Sequence, residues 1–197
     1  MSDKIPEYYK IESPLTDLIN SKKNILSDKK TEFVISDHPE LGQVNVRGDI
    51  KDGLFIDNMR EVLGHELPTD PNTVTVGERF IILCLGENEW LIITPENEER
   101  ELIATLRNKM DGILTSFTDV SSSQCIIRVT GSHVRNVFAK GCSLDLHSRS
   151  FDVSKCAQSL IASVGVIIRQ IDSTPSFELI VRRSFAEYLV NWLYDAV

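Results

Sequence analysis

An order of elements written twice constrains this chain more than any other feature. "QVNVRGD" alternates Val44 and Val46 with polar neighbours, a strand pattern. "LFIDNMREVLG" sets Phe55, Met59, Val62 and Leu63 at helical spacing and stops at Gly64, a natural helix-ending residue. "ERFIILCL" and "EWLIIT", joined by the turn-forming "GENE", predict a hairpin. Thr94 then predicts a helix cap with Pro95 at the first helical position, and Leu102, Leu106 and Met110 recur every four residues beyond it. The second half runs the same way. "CIIRVTG" predicts a strand, and "SHVRNVFAKG" a short helix capped by Ser132 and ended by Gly141. "AQSLIAS" and "VGVIIRQI" supply strands, and "SFELIVR" follows a turn at 173–175. Ser184 and Glu187 form the pattern S-x-x-E, a capping box opening a helix with Phe185, Leu189, Trp192 and Leu193 on one face. The strand-ending Gly48 and Gly131 lie 46 and 53 residues before Thr94 and Ser184. The expected fold is therefore two pseudo-repeated β-α-β-β-α units, about 43–110 and 119–197. Neither unit has enough helix to cover both faces of a sheet, so the two are expected to pack as one α+β domain over residues 41–197.

Residues 1–40 are expected to form an N-terminal arm. "NSKKNILSDKK" is polar with little apolar periodicity. Ile11, Pro14, Leu15, Leu18 and Ile19 make an apolar cluster upstream of it, which a purely solvated tail rarely carries. Ile11, Pro14, Leu15 and Leu18 are accordingly expected to lie across a partner.

Composition narrows the function. With 42% apolar and 25% charged residues the chain has the balance of an ordinary globular protein. A net charge of −8 argues against nucleic acid, whose phosphates call for clustered Lys and Arg. The start, "MSDKIPEYYK", holds no apolar run of the secretory kind, and "FIILCL" is far shorter than a membrane span, so a cytoplasmic protein without membrane contact is expected. Cys84, Cys125, Cys142 and Cys156 form no CxxC pair and read as reduced, buried thiols. No GxG, P-loop, HExxH or GxSxG pattern occurs.

The stretch "VTGSHVRNVFAKGCSLDLH" brings Cys142, Asp145 and His147 close in sequence. If the segment is extended, Cys142, Leu144 and Leu146 face the core while Asp145 and His147 face away, which denies a Cys–His pair its hydrogen bond. Two ligands on one face are too few for zinc. Asp49 and Asp52 read as caps or turn residues. Arg169, Arg182 and Arg183 converge on a hairpin, where internal ion pairs are the expected use, and Trp90 and Trp192 read as core. No catalytic and no metal-binding residue is therefore assigned.

Several stretches carry a resemblance to a known family: "VRGD", "LGHELPTDPNT", "LGENEWLI", "KGCSLDLH", "AQSLIA" and "VRRSFAEYLVNWLYDA", with "SPLTDL" at 13–18 similar to that family's N-terminal arm. In this order and spacing the chain, over about residues 40–197, resembles the gamma subunits of heterotetrameric sarcosine oxidase. More widely it is similar to the aminomethyltransferase of the glycine cleavage system and its folate-binding relatives, through "TDVSSSQCIIRVTGSHVRNVF". Asp119, Val120 and Ser121 match that group's Asp-Val-Ser; Ser122, Ser123 and Gln124 stand where His-Met-Gly usually follows. "KGC" at 140–142 matches a motif of the iron–sulfur-repair branch for three residues only. The resemblance implies an aminomethyltransferase-like fold and a place beside alpha, beta and delta subunits. Together these oxidatively demethylate sarcosine to glycine and peroxide, passing the one-carbon unit to tetrahydrofolate. It further implies that FAD, FMN, NAD and zinc are held by the other subunits, with no cofactor and no catalysis in this chain. The alternative it leaves is a stand-alone folate-binding or one-carbon-transfer protein with Asp119 as the polar anchor of the pteridine.

Overall fold

The structure, a computed structural model, describes residues 13–23 and 33–197. The elements run α1 (Thr16–Lys23), β1 (Val34–Asp37), β2 (Gly42–Arg47), α2 (Gly53–Leu63), β3 (Val74–Val76), β4 (Ile81–Gly86), β5 (Glu89–Thr94) and α3 (Glu99–Lys109). They continue with β6 (Ser116–Asp119), β7 (Gln124–Thr130), α4 (Val134–Ala139), β8 (Cys156–Ile161), β9 (Val164–Asp172), β10 (Ser176–Arg182) and α5 (Arg183–Asp195). The strands form two antiparallel five-stranded sheets, ordered β3-β4-β5-β2-β6 and β8-β9-β10-β7-β1.

Strand parity assigns each face. In β2, Val44 and Val46 join Phe55, Met59 and Leu63 of α2 and Leu102, Ile103 and Leu106 of α3 in one core. In β7, Cys125, Ile127 and Val129 join α4, α5 and Ile19 of α1 in a second core. The alternate residues meet between the sheets: Leu83, Leu91 and Ile93 from one, Ile126, Cys156, Ile167 and Ile180 from the other. The layers are thus helices, sheet, sheet, helices, and each large apolar side chain so buried contributes about 1.5–3 kcal/mol. This is an α+β chain with the two sheets packed face to face. No helix among the described residues is long and apolar enough to cross a membrane.

The helix ends show where local rules hold and where the sheets override them. Asp52 caps α2, its carboxylate accepting from Leu54 N at 2.9 Å, and Gly64 closes the helix at φ 72° with its N–H on Arg60 O. Thr94, in contrast, is no cap. It is buried in the ladder opposite Gly42, its hydroxyl donates to Pro95 O, and Asn97 at φ 62° delays α3 until Glu99. Nor does the capping box at Ser184 and Glu187 form, because α5 leaves β10 without a loop and Ser184 is already its second residue. The buried face of α5 is Ala186, Leu189, Val190 and Leu193; Phe185, expected there, is half exposed. Ser132 gives way to His133 at the start of α4. Gly141 is not the helix-ending residue expected, since α4 stops at Ala139 with Lys140 as its cap; a Cβ at Gly141 would instead meet the Trp192 ring at 2.5 Å.

The residues expected to form an arm also fold. β1 pairs with β7 along Val34–Asp37, so the packed structure starts before residue 40. Leu15 and Ile19 are buried in the chain's own core, α1 lies against α5 and β1, and Lys22 Nζ stands 5.8 Å from the Tyr194 ring. Leu15 is therefore taken up inside the chain, Leu18 packs partly against the same core, Pro14 is exposed, and Ile11 lies outside the described residues.

Candidate functional site

The two edge strands lead the chain from one sheet to the other, and their ends meet. β1 runs beside β7 to Asp37, after which His38 N donates to Ile126 O at 2.9 Å. β6 runs beside β2 to Asp119, after which Val120 N donates to Gln43 O, also at 2.9 Å. A cavity of about 440 Å³ opens at this crossing, with Ser13, Pro14, Leu41 and Ile126 among its walls. Its polar lining includes Asp37, Gln43, Glu99, Asp119, Gln124 and Arg183, with His38, the Ser121 and Ser122 hydroxyls and the Cys125 thiol beside them. Three of these groups bring oxygens that are buried and without a hydrogen-bond partner: Asp37 Oδ2, Gln43 Oε1 and Gln124 Oε1. Such atoms each leave a desolvation cost of about 1–3 kcal/mol until something donates to them. Asp119 differs. Its Oδ1 accepts from Ser121 N at 2.9 Å and Ser121 Oγ at 2.6 Å, and Gln43 N in turn donates to Ser121 Oγ at 2.8 Å. Burial pushes the Cys125 thiol up, with Arg183 drawing it down and Asp37 pushing it up further. His38 is occupied elsewhere, its ring bonded to Glu40 at 2.9 Å and in contact with Ser36 at 3.4 Å.

The other candidates are structural. Cys142 is buried, its Sγ 3.6 Å from Ser159 Oγ, while Asp145 and His147 are exposed, as the alternation predicts although the segment forms no strand. The Asp145 carboxylate accepts from Ser150 Oγ and His147 N, which hold it below the usual carboxylate range. All four cysteines are free and buried. Cys156 is pushed up to about 12 by burial and by the neighbouring Cys84. Arg169 donates to Glu178 Oε2 at 2.6 Å and Arg128 to Oε1 at 2.8 Å, an ion-pair cluster between the sheets with Glu178 only 1% exposed. Arg182 ends β10 exposed, and Arg183 reaches the crossing cavity. Trp90 is fully buried with its indole N–H on Pro68 O at 2.8 Å; Trp192 is partly buried. Asp49 accepts from Lys51 N, as a turn residue does. Among the described residues no group of three or more His, Cys, Asp or Glu could hold a metal ion.

Of the polar groups around the crossing, Asp119 and Arg183 stand out in the sequence; Asp37, Gln43 and Gln124 are brought beside them by the topology. A signal is nevertheless present: each edge strand ends on an aspartate, and glutamines follow six and five residues later, at Gln43 and Gln124.

The paired sheets with outer helices define a class. The fold matches a glycine cleavage system aminomethyltransferase from Bartonella henselae with a TM-score of 0.60 at 13% identity, over 83% of this chain and 45% of that one. It matches a chain of a heterotetrameric sarcosine oxidase from Corynebacterium sp. U-96 more closely, with a TM-score of 0.83 at 22% identity over 94% and 93%. In sequence, 158 residues are 32% identical to a sarcosine oxidase subunit gamma of Corynebacterium sp. (strain P-1), covering 79% of this chain and 75% of the relative. A sarcosine oxidase subunit gamma of Arthrobacter sp. is 30% identical over 68% of this chain and 66% of its own length. The family profile described as sarcosine oxidase, gamma subunit family, matches residues 47–197, and the chain belongs to that family.

Proposed function

We infer that this chain is the gamma subunit of a heterotetrameric sarcosine oxidase, a complex that oxidatively demethylates sarcosine to glycine, and that it serves assembly rather than chemistry there. The family match over residues 47–197 carries the reading. The fate of the reactive residues supports the non-catalytic role: the thiols are buried, Asp145 and His147 face solvent apart from Cys142, and Glu178 is held in ion pairs by Arg128 and Arg169. On this reading the partners are alpha, beta and delta subunits in the cytoplasm, and FAD, FMN, NAD, zinc and tetrahydrofolate belong to them. Pro14 and Leu18, with Ile11 ahead of them, are the arm residues left to meet a partner. The chain itself is read as two pseudo-repeated β-α-β-β-α units; the matched sheet orders β3-β4-β5-β2-β6 and β8-β9-β10-β7-β1 support this, as do the paired bonds at Ile126 and Gln43.

The test is an affinity pull-down from the native cell, with mass spectrometry and a visible spectrum of the eluate. The chain should arrive with larger flavin-bearing partners, and the separated chain should be colourless and without oxidase activity. A flavin absorption band in the separated chain overturns the reading. Cys142→Ser should lower stability or assembly and leave turnover of the intact complex unchanged; a selective loss of turnover overturns the structural role of that thiol.

A second reading, a stand-alone folate-binding or one-carbon-transfer protein, draws on Asp119 in the cavity wall. Calorimetric titration of tetrahydrofolate into the isolated chain decides it, and absence of heat removes it.

A further inference from the structure

We propose that β8 is a docking edge, the strand beside which an extended segment of a partner subunit adds to the sheet. This rests on the reading that the chain is one subunit of a larger complex, and it names the surface that a partner meets there. β8 is the outermost strand of its sheet, with β9 on one side only. It pairs with β9 from Cys156 opposite Arg169 to Ile161 opposite Val164, while Cys156 N donates away from β9, to Asn72 O at 3.0 Å. Alternate residues of an antiparallel strand turn their backbone groups the same way, so Gln158 and Leu160 turn theirs outward as Cys156 does. The lane beside β8 is filled at its start, where Val74 N donates to Ser154 O at 2.8 Å and Thr73 bridges Lys155. Among the described residues, no strand pairs with β8 beside Gln158 and Leu160.

The other edges are guarded and this one is not. An open apolar edge is a template for another chain, and sheets ordinarily blunt theirs with charge, proline or brevity. β3 has only three residues, β1 has four and lies against α1, and in β6 Phe117 O accepts from Arg107 at 3.2 Å. β8 has six residues, and from Cys156 to Ile168 the sequence holds neither a charge nor a proline. Leu160 stands 58% exposed on it. An extended peptide satisfies the outward N–H and C=O of such a strand together, and its alternate side chains find apolar contacts on the sheet. On the face where Gln158 points, a groove of about 370 Å³ lined in part by Leu85 and Leu91 offers them room. The uncharged run "AQSLIA" is then an edge kept open for a partner.

Hydrogen–deuterium exchange over the peptide 157–161 is compared in the full-length isolated chain and in the flavin-bearing complex captured with it. The amides of Gln158 and Leu160 should exchange freely in the isolated chain and at least about 10-fold more slowly in the complex. Unchanged exchange in an intact complex overturns the proposal and leaves the subunit reading standing. Failure to capture any flavin-bearing complex overturns both. Protection already present in an isolated chain that sediments as a dimer would give the edge to a second copy, and overturns the partner assignment. Leu160→Pro removes one outward N–H while leaving the bonds to β9, so it should weaken assembly by about 10-fold or more. Leu160→Ala, which keeps that N–H, should weaken it less; the reverse order would make the contact one of side chains and overturn strand addition.

Discussion

The two halves use the same arrangement of strands but cover their sheets differently. Over the β2 sheet, α2 and α3 each run 11 residues and supply most of the apolar cover themselves. Over the β7 sheet, α4 follows its strand as α2 follows β2, yet it has only 6 residues. Leu146 and Phe151, from the irregular segment after α4, bury into the gap, and Leu15 and Ile19 from the N-terminal segment add to the same core. The difference explains why residues with an arm-like sequence are packed: they complete the half whose helix is short. Between the sheets the halves differ again. Leu91 of β5 lies opposite Asn45, whereas Glu178 of β10 lies opposite Arg128 and also binds Arg169.

That last contrast yields the largest expected effect. Glu178→Ala leaves Arg169, whose side chain is 5% exposed, without its carboxylate, and should cost about 3–5 kcal/mol in urea unfolding. Making the site apolar like the Leu91 side, with Glu178→Leu and Arg169→Met together, should recover most of that loss. A double variant no more stable than the single one would show that the cluster does something a hydrophobic pair cannot. Next, Leu15→Ala should cost about 2–5 kcal/mol and Leu18→Ala less than about 1 kcal/mol. Equal small effects would return the segment to a strap that only a partner orders. Gly141→Ala should cost about 1–3 kcal/mol by pushing on the Trp192 ring, whether or not partners are present. The smallest effect concerns pH. The thiol of Cys156 is pushed up to about 12 from the ordinary thiol value of 9.0, so its contribution is complete below about pH 9 and is lost as pH rises through the folded value. Cys156→Ser should therefore flatten the alkaline limb of a stability–pH curve; an unchanged slope would deny the burial its role.

Much of this could be read from residue patterns, and what could not has a physical reason. Alternation at Val44 and Val46 marked β2, and the paired apolar runs marked the β4–β5 hairpin, because a half-buried strand must alternate and a turn must follow it. β1 and β6 have four residues each, too few for a period to show, so their pairing across halves was hidden. Thr94 and Ser184 looked like caps because the local rule knows nothing of a ladder that continues through one and up to the threshold of the other. Of the cavity's lining, Asp119, Arg183, Cys125 and Pro14 stand out singly in the sequence, each for a separate reason. Asp37, Gln43 and Gln124 become neighbours through the crossing of the chain, which no local window contains.

The crossing has a consequence for how the molecule comes apart. β1 completes the sheet of the second half and β6 that of the first, so each sheet takes its last strand from the other half of the chain. Neither half owns a whole sheet, and neither can melt while the other stays folded; denaturation should be all-or-none under every probe. A chain nicked near Gly112 should behave as two fragments that are incomplete apart and restore the native fold when mixed.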